Sequence, residues 1–265
     1  MTPPPSGGRL GGGIPTLGEG AGCCMKKDDL YKSPREKITA FKFDEQVTKV
    51  FPDMIARSVP GYQDIIDGIG LAAKLWAQPG TRIYDLGCSL GAASLQILSA
   101  LTPGDFKLIG VDNSQAMLTC FKQHLSPQQK AQIHLICADI NHVPIDNASL
   151  VILNFTLQFV KLHLREALLS VIFQGLLPGG VLILSEKIHN MEKPLEQDLL
   201  NQLHHAYKKS HGYSELEISQ KRTALENVLV PESWEDHRQR LRNCGFQNIV
   251  LWYRHMNFIS IIAKK

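Results

Sequence analysis

No apolar run in this 265-residue chain approaches the 18 or so consecutive residues that a membrane-spanning helix needs, so no membrane association is expected. Clustered charge is lacking too. The formal net charge is only +3, and the basic residues form no stripe of the kind that marks a dedicated nucleic-acid binder, so direct nucleic-acid binding is not expected either. The six cysteines show no metal-ligand spacing, which argues against a structural metal site. Four of them sit in apolar or turn contexts, which reads as a reducing, cytoplasmic setting without a disulfide framework. Internal repeats are absent. What remains is ordinary globular composition, 44% hydrophobic and 20% charged, long enough for one sizeable α/β core.

The N-terminus departs from that composition. Residues 1–24, "MTPPPSGGRLGGGIPTLGEGAGCC", are too rich in Pro and Gly to bury enough apolar surface to offset ordering entropy, and are expected to be a disordered leader. They lack the basic start and apolar stretch of a secretory signal. Met25, followed by Lys26-Lys27-Asp28-Asp29, reads as a more natural beginning.

Residues 25–80 are expected to form a helical approach or lid segment. Val47, Val50, Phe51, Met54 and Ile55, then Ile65, Ile66, Ile69 and Leu71, recur at helical spacing, interrupted at Pro52 and at Pro60-Gly61. Residues 81–265 form the main domain. Strands predicted at 82–86, 107–111, 133–137, 150–153 and 181–184 alternate with helices at 92–101, 115–125 and 162–175, the pattern of a parallel sheet with right-handed crossovers. A helix over 195–209, a polar stretch to Val230, a helix over 233–244 and two terminal strands near 249–252 and 257–263 complete the chain. The last two strands are close enough in sequence to be antiparallel neighbours.

The stretch "DLGCSLGAAS" (Asp85–Ser94) fits two motifs. Gly87-Cys88-Ser89-Leu90-Gly91 matches a nucleophile elbow, in which Ser89 attacks an ester. It also matches a degenerate glycine-rich turn after a first strand, where backbone cradles a nucleotide cofactor. An elbow lies well inside its sheet, whereas only broken helix precedes Asp85, and a Ser89, Asp139 and His204 set is the kind of triad that any chain with ten histidines permits. The next two strands favour the cofactor reading. The second strand ends in Asp112, at the distance expected of a ribose-binding carboxylate, and the third is followed by Cys137-Ala138-Asp139-Ile140, where an acid and a backbone N–H meet an adenine edge. Ser89 stands where a dinucleotide fingerprint wants glycine, which favours S-adenosylmethionine, a cofactor without phosphates. Plainer roles exist for each residue: tight packing for Gly87 and Gly91, helix capping for Asp112 with Ser114, and turn formation for Asp139.

Several longer segments carry a family resemblance. "FDEQVTKVFPDMIARSVPGY" (Phe43–Tyr62), "YDLGCSLGAAS", "GVDNSQAM", "NASLVILNFTLQF" (Asn147–Phe159), "LLPGGVLILSEK" (Leu176–Lys187) and "GYSELEISQKRTALENV" (Gly212–Val228) together resemble the carboxy-S-adenosyl-L-methionine synthases, from about residue 27 to the end. The resemblance implies a class I methyltransferase sandwich, a mostly parallel seven-stranded sheet with an antiparallel last strand and helices on both faces. It implies conversion of S-adenosyl-L-methionine and prephenate to carboxy-S-adenosyl-L-methionine and phenylpyruvate, without a metal. The product serves a partner enzyme, a tRNA carboxymethyltransferase acting on a wobble uridine, and the family forms homodimers. By the same resemblance Tyr62, Gly87, Cys88, Ser89, Asp112, Asn113, Asp139, Ile140 and Asn154 contact the cofactor, and Arg222 pairs with the new carboxylate. The chain departs from the family pattern in its leader, before Phe43, and over 188–197.

No side chain reads as a base for a methyl acceptor, and the implied chemistry needs no enzyme nucleophile. The protein mainly holds charged partners together in a dry site. Arg57 and Arg222 are the cations expected there, with His204, His205 and Lys221 as weaker candidates, and Tyr213 serves either there or in the core. An ordinary methyltransferase and a non-catalytic binding protein of the same fold stay open at this point, because fold alone does not separate them.

Overall fold

A computed structural model describes residues 26–189 and 192–265. The expected disordered leader, residues 1–24, therefore lies outside the described residues. Seven strands form one sheet: β1 (Thr81–Leu86), β2 (Phe106–Asp112), β3 (Ile133–Cys137), β4 (Ala148–Asn154), β5 (Leu176–Lys187), β6 (Asn248–His255) and β7 (Phe258–Lys264), in the order β3-β2-β1-β4-β5-β7-β6. The first five pair in parallel, and β7 runs antiparallel to both β5 and β6. Strand order reverses between β1 and β4, which opens a crevice at the carboxyl ends of the strands. The sheet expected from the alternating pattern is the one formed.

Strand alternation divides the core into two layers. Tyr84, Leu86, Val151, Leu153, Leu182 and Leu184 point to the layer beneath α6 (Leu162–Gly175) and α9 (Trp234–Asn243). Ile83, Leu108, Leu150, Ile152, Val181 and Ile183 point to the other layer, covered by α2 (Tyr62–Trp76), α3 (Ala92–Ala100) and α4 (Gln115–His124). Side chains of β-strands alternate between faces, so Asp85, Asp112, Asn154 and Lys187 all lie on this second face, at its carboxyl-end rim.

The segment before the sheet holds α1 (Glu45–Ser58) as well as α2. Pro52 sits inside α1 and does not end it, against the expected interruption. The Asp44 side chain caps the first turn and Val47, Val50 and Met54 bury one continuous face, which holds the helix through a single missing N–H. The break falls at Pro60-Gly61, where Gly61 has φ 70° and a Cβ would lie 1.7 Å from the Tyr253 hydroxyl. The polar stretch before Val230 contains a helix that periodicity did not reveal, α8 (Glu215–Leu225), started by a Ser214/Glu217 capping box. It follows α7 (Pro194–Ser210). Periodicity did not reveal the short α5 (Pro127–Gln132) either. Cys88, Cys137 and Cys244 are free thiols, and Cys120 is disulfide-bonded, a pairing that the spacing of the cysteines did not signal.

Candidate functional site

The turn after β1 is tied to β2 by its backbone. Gly87 and Cys88 donate N–H bonds to the Val111 carbonyl at 2.7 and 3.0 Å. Ser89, at φ 51°, donates its N–H to one Asp112 carboxylate oxygen at 2.9 Å, while the other oxygen accepts from Ser114 N–H at 2.8 Å. Asp112 is thus a brace for the turn, and Ser114 is the residue that caps α4. Burial raises the Asp112 pKa, opposed by N–H groups of Ser114, Ser89 and Asn113. Each carboxylate oxygen keeps a second lone pair for a ligand. Gly91 has φ 83° and a Cβ there would lie 2.1 Å from the Phe121 ring, so its glycine is a matter of helix packing.

The Ser89 hydroxyl meets the Met117 sulfur at 3.5 Å and has no base beside it. Asp139 caps the 3₁₀ turn Ile140–His142 through Asn141, and His204 bonds the Ser58 carbonyl. The triad drawn from the sequence is not assembled. The glycine turn, Asp112-Asn113, Asp139-Ile140 and Asn154 instead follow or end the four adjacent strands β1, β2, β3 and β4 along one rim, and the Ala138 N–H to Asp112 carbonyl bond of 3.0 Å stitches two of them together. Asn113 and Asp139 are exposed, and Ile140 is buried.

Beneath the rim, buried Asp85 accepts from the Ser94 hydroxyl at 2.6 Å, and desolvation pushes its pKa up to about 6. Asn154 ends β4 with its Oδ1 buried and without a hydrogen-bond partner among the described residues. Beside it an aromatic row runs toward α7. The Tyr62 ring lies 6.2 Å from Phe155, Phe155 lies 6.0 Å from Phe258, and Phe258 lies 5.0 Å from His204. The Tyr62 hydroxyl is held protonated by burial and by the Asp85 charge.

The cations separate into two groups. Arg57 is buried, stacked 3.8 Å from the Tyr213 ring centroid, and bonded to Asp53, the Asp28 carbonyl and the His211 carbonyl. It is not an exposed helix residue, and its Nη2 is buried without a hydrogen-bond partner among the described residues. Tyr213 donates its hydroxyl to Asp28, and Lys221 reaches Asp28 at 3.4 Å and the Ser58 hydroxyl at 3.1 Å, so this group is internally compensated. His204 donates to Ser58 and burial drives its pKa down to about 3, which keeps it neutral, while His205 pairs with Glu215 at the surface.

Arg222 belongs to the other group. It is exposed on α8, and its guanidinium makes no hydrogen bond or ion pair among the described residues. Its charge reaches Lys187, at the end of β5, and Lys208 on α7. Desolvation and then Arg222 lower the Lys187 pKa, while desolvation followed by Lys187, Arg222 and Lys221 lower that of Lys208 to about 8. Three cations with no counter-ion among the described residues therefore lie within reach of one another's charge, and one of them, Lys187, lies two residues after the Ser185 that pairs with Asn154.

The comparisons with known proteins fit this arrangement. A family model described as a methyltransferase domain matches residues 83–180. Carboxy-S-adenosyl-L-methionine synthase of Actinobacillus pleuropneumoniae serotype 5b (strain L20) is 49% identical over 242 residues, covering 91% of this chain and all of that protein. The synthase of Pasteurella multocida (strain Pm70) is 50% identical over the same shares. The chain belongs to the carboxy-S-adenosyl-L-methionine synthase family. Human N-acetylserotonin methyltransferase, solved in complex with SAM, shares the fold at a TM-score of 0.58 with 19% identity, covering 83% of this chain and 55% of that one.

As a member of this family the synthase uses S-adenosyl-L-methionine as substrate, and its rim suits that ligand. Asp112 has lone pairs for ribose hydroxyls, and the Asn154 oxygen, which has no partner among the described residues, suits an ammonium or amide donor. Among the described residues no group of three His, Cys, Asp or Glu is placed to hold a metal ion, and no helix is long and apolar enough to cross a membrane. Sequence reading missed Lys187, Lys208 and Asp85. Lys187 closes an apolar strand and Lys208 lies in a helix with other lysines, so neither stands out by type or spacing.

Proposed function

We propose that the synthase converts S-adenosyl-L-methionine and prephenate to carboxy-S-adenosyl-L-methionine and phenylpyruvate. The observation that carries this reading is the Arg222, Lys187 and Lys208 group, three cations with no counter-ion among the described residues, which an uncharged methyl acceptor would leave unpaired. A dicarboxylate co-substrate brings two negative charges to this group. In the reaction, prephenate loses its ring carboxylate as carbon dioxide and its hydroxyl as hydroxide, leaving phenylpyruvate. A methyl proton of the sulfonium goes to that hydroxide to give water, and the resulting carbanion bonds to carbon dioxide. Arg222 receives the new carboxylate as a two-point partner. The chain's part is to hold anions and sulfonium together and to exclude water, and neither Ser89 nor any other hydroxyl acts as a nucleophile.

The product is a carboxymethyl donor, and we place its use in wobble-uridine modification of tRNA by a separate carboxymethyltransferase. The synthase works as a cytoplasmic homodimer without itself binding nucleic acid or membrane. The test is turnover with prephenate labelled with ¹³C in its ring carboxylate. Mass spectrometry is expected to find the label in the sulfonium product, together with stoichiometric phenylpyruvate. Transfer of an unlabelled methyl group to an acceptor in the absence of prephenate would overturn the reading.

A further inference from the structure

We propose that Lys187 and Lys208, with Arg222, form the wall that binds the carboxylates of the second substrate, while the half-buried Tyr62 and Phe155 rings, backed by buried Phe258, receive its six-membered ring. This rests on the reaction proposed above. Lys187 is the last residue of β5, on the face that carries Asp85, Asp112 and Asn154, and it pairs in register with Phe258 of β7. Phe258 in turn packs against His204 of α7. Lys208 lies one helical turn beyond His204, on the same side of that helix, and so approaches the same place from above. Strand end and helix thus bring two half-buried ammonium groups to one wall, beside a row of aromatic faces.

Neither lysine side chain makes a hydrogen bond or ion pair among the described residues, and no carboxylate figures among the charges acting on them. A structural lysine at such depth has a partner, as Lys221 has Asp28. The neighbouring His204 is committed to the Ser58 carbonyl and carries no compensating charge. The ligand that fits is a small dianion with an apolar ring. Its charge meets the lysines, and its ring meets the aromatic row.

Lys187→Met and Lys208→Met keep most of the apolar stem and delete the charge, and Lys187→Arg retains it. At saturating S-adenosylmethionine, the KM for prephenate is expected to rise roughly tenfold or more in each Met variant, with a smaller rise for Lys187→Arg. Calorimetric Kd values for S-adenosylmethionine are expected to stay within about twofold of wild type. An unchanged prephenate KM in both Met variants overturns the proposal, as does an equal loss of S-adenosylmethionine affinity, which marks a general structural role. If the wild type itself fails to turn over prephenate, the proposed reaction is wrong, and calorimetric binding of phenylpyruvate then tests the wall alone. Binding to wild type that the Met variants lose upholds the wall, whereas no binding, or equal binding by all, overturns it.

Discussion

Replacing Arg222 by alanine removes an exposed side chain from the last turn of α8. The guanidinium is exposed and touches no partner among the described residues, so the change is expected to leave unfolding free energy within about 0.5 kcal/mol of wild type. Ligand binding is affected unequally. S-adenosyl-L-methionine presents a cationic sulfonium on the side where carboxy-S-adenosyl-L-methionine presents a carboxylate, so the guanidinium repels one and bonds the other. A hydrogen bond between charged groups contributes about 1.5 to 3 kcal/mol, which converts to a loss of roughly tenfold to 150-fold in product affinity. Affinity for S-adenosylmethionine is expected to hold or improve slightly. Arg222→Lys restores charge without the two-point geometry and recovers part of the loss. Calorimetric titration of both ligands into wild type and the two variants, with a thermal melt of each, checks this. Equal losses for the two ligands, or a melting temperature lowered by several degrees, would refute the placement of the product carboxylate.

The geometry sets three other outcomes. Asp112→Ala removes both the ribose acceptor and the brace on Ser89, so S-adenosylmethionine affinity is expected to fall by more than tenfold, whereas Asp112→Asn keeps one acceptor and loses less, as read by calorimetry. Gly91→Ala forces a Cβ into the Phe121 ring at a left-handed backbone position, and urea unfolding is expected to show a loss of about 2 to 4 kcal/mol. Glu186 is fully buried, with one oxygen bonded to the Leu157 N–H and the other unpartnered, and burial pushes its pKa from 4.5 up to about 8. The folded state then holds its proton more tightly than the unfolded chain, so its contribution is fully present below about pH 4.5 and is lost as pH rises through 8. Glu186→Gln is expected to flatten that part of the stability profile in urea melts between pH 5 and 8.

The sheet was legible because its strands are short apolar runs punctuated by turn residues, and burial on both faces demands that pattern. The 133–137 strand and the 162–175 helix fall where periodicity puts them. Periodicity failed at α8, where Glu215, Glu217, Gln220, Lys221 and Arg222 leave only scattered apolar positions such as Ile218 and Ala224. Tertiary bonds hold it instead, with Gln220 donating to the Tyr31 and Ser33 carbonyls and Ala224 packing under the N-terminal segment. The rim was legible as a succession of strand ends. The state of its side chains was not: that Asn154 Oδ1 and Arg222 have no partner among the described residues and that Arg57 stacks on Tyr213 depends on neighbours distant in sequence.

The bonds joining Asp28 to Tyr213 and Lys221 span 185 and 193 positions of sequence. They decide what a protein engineer must move to transplant this chemistry. The helices between β5 and β6 look like a detachable insert, and grafting them onto the sheet of another methyltransferase is the obvious design. On such a host the Tyr213 phenol and the Lys221 ammonium arrive without their carboxylate, Gln220 without its two carbonyls, and the Tyr213 ring without the Arg57 cation stacked on it. The portable module is therefore discontinuous: residues 26–58 and 194–229 together, carried on two separate stretches of gene.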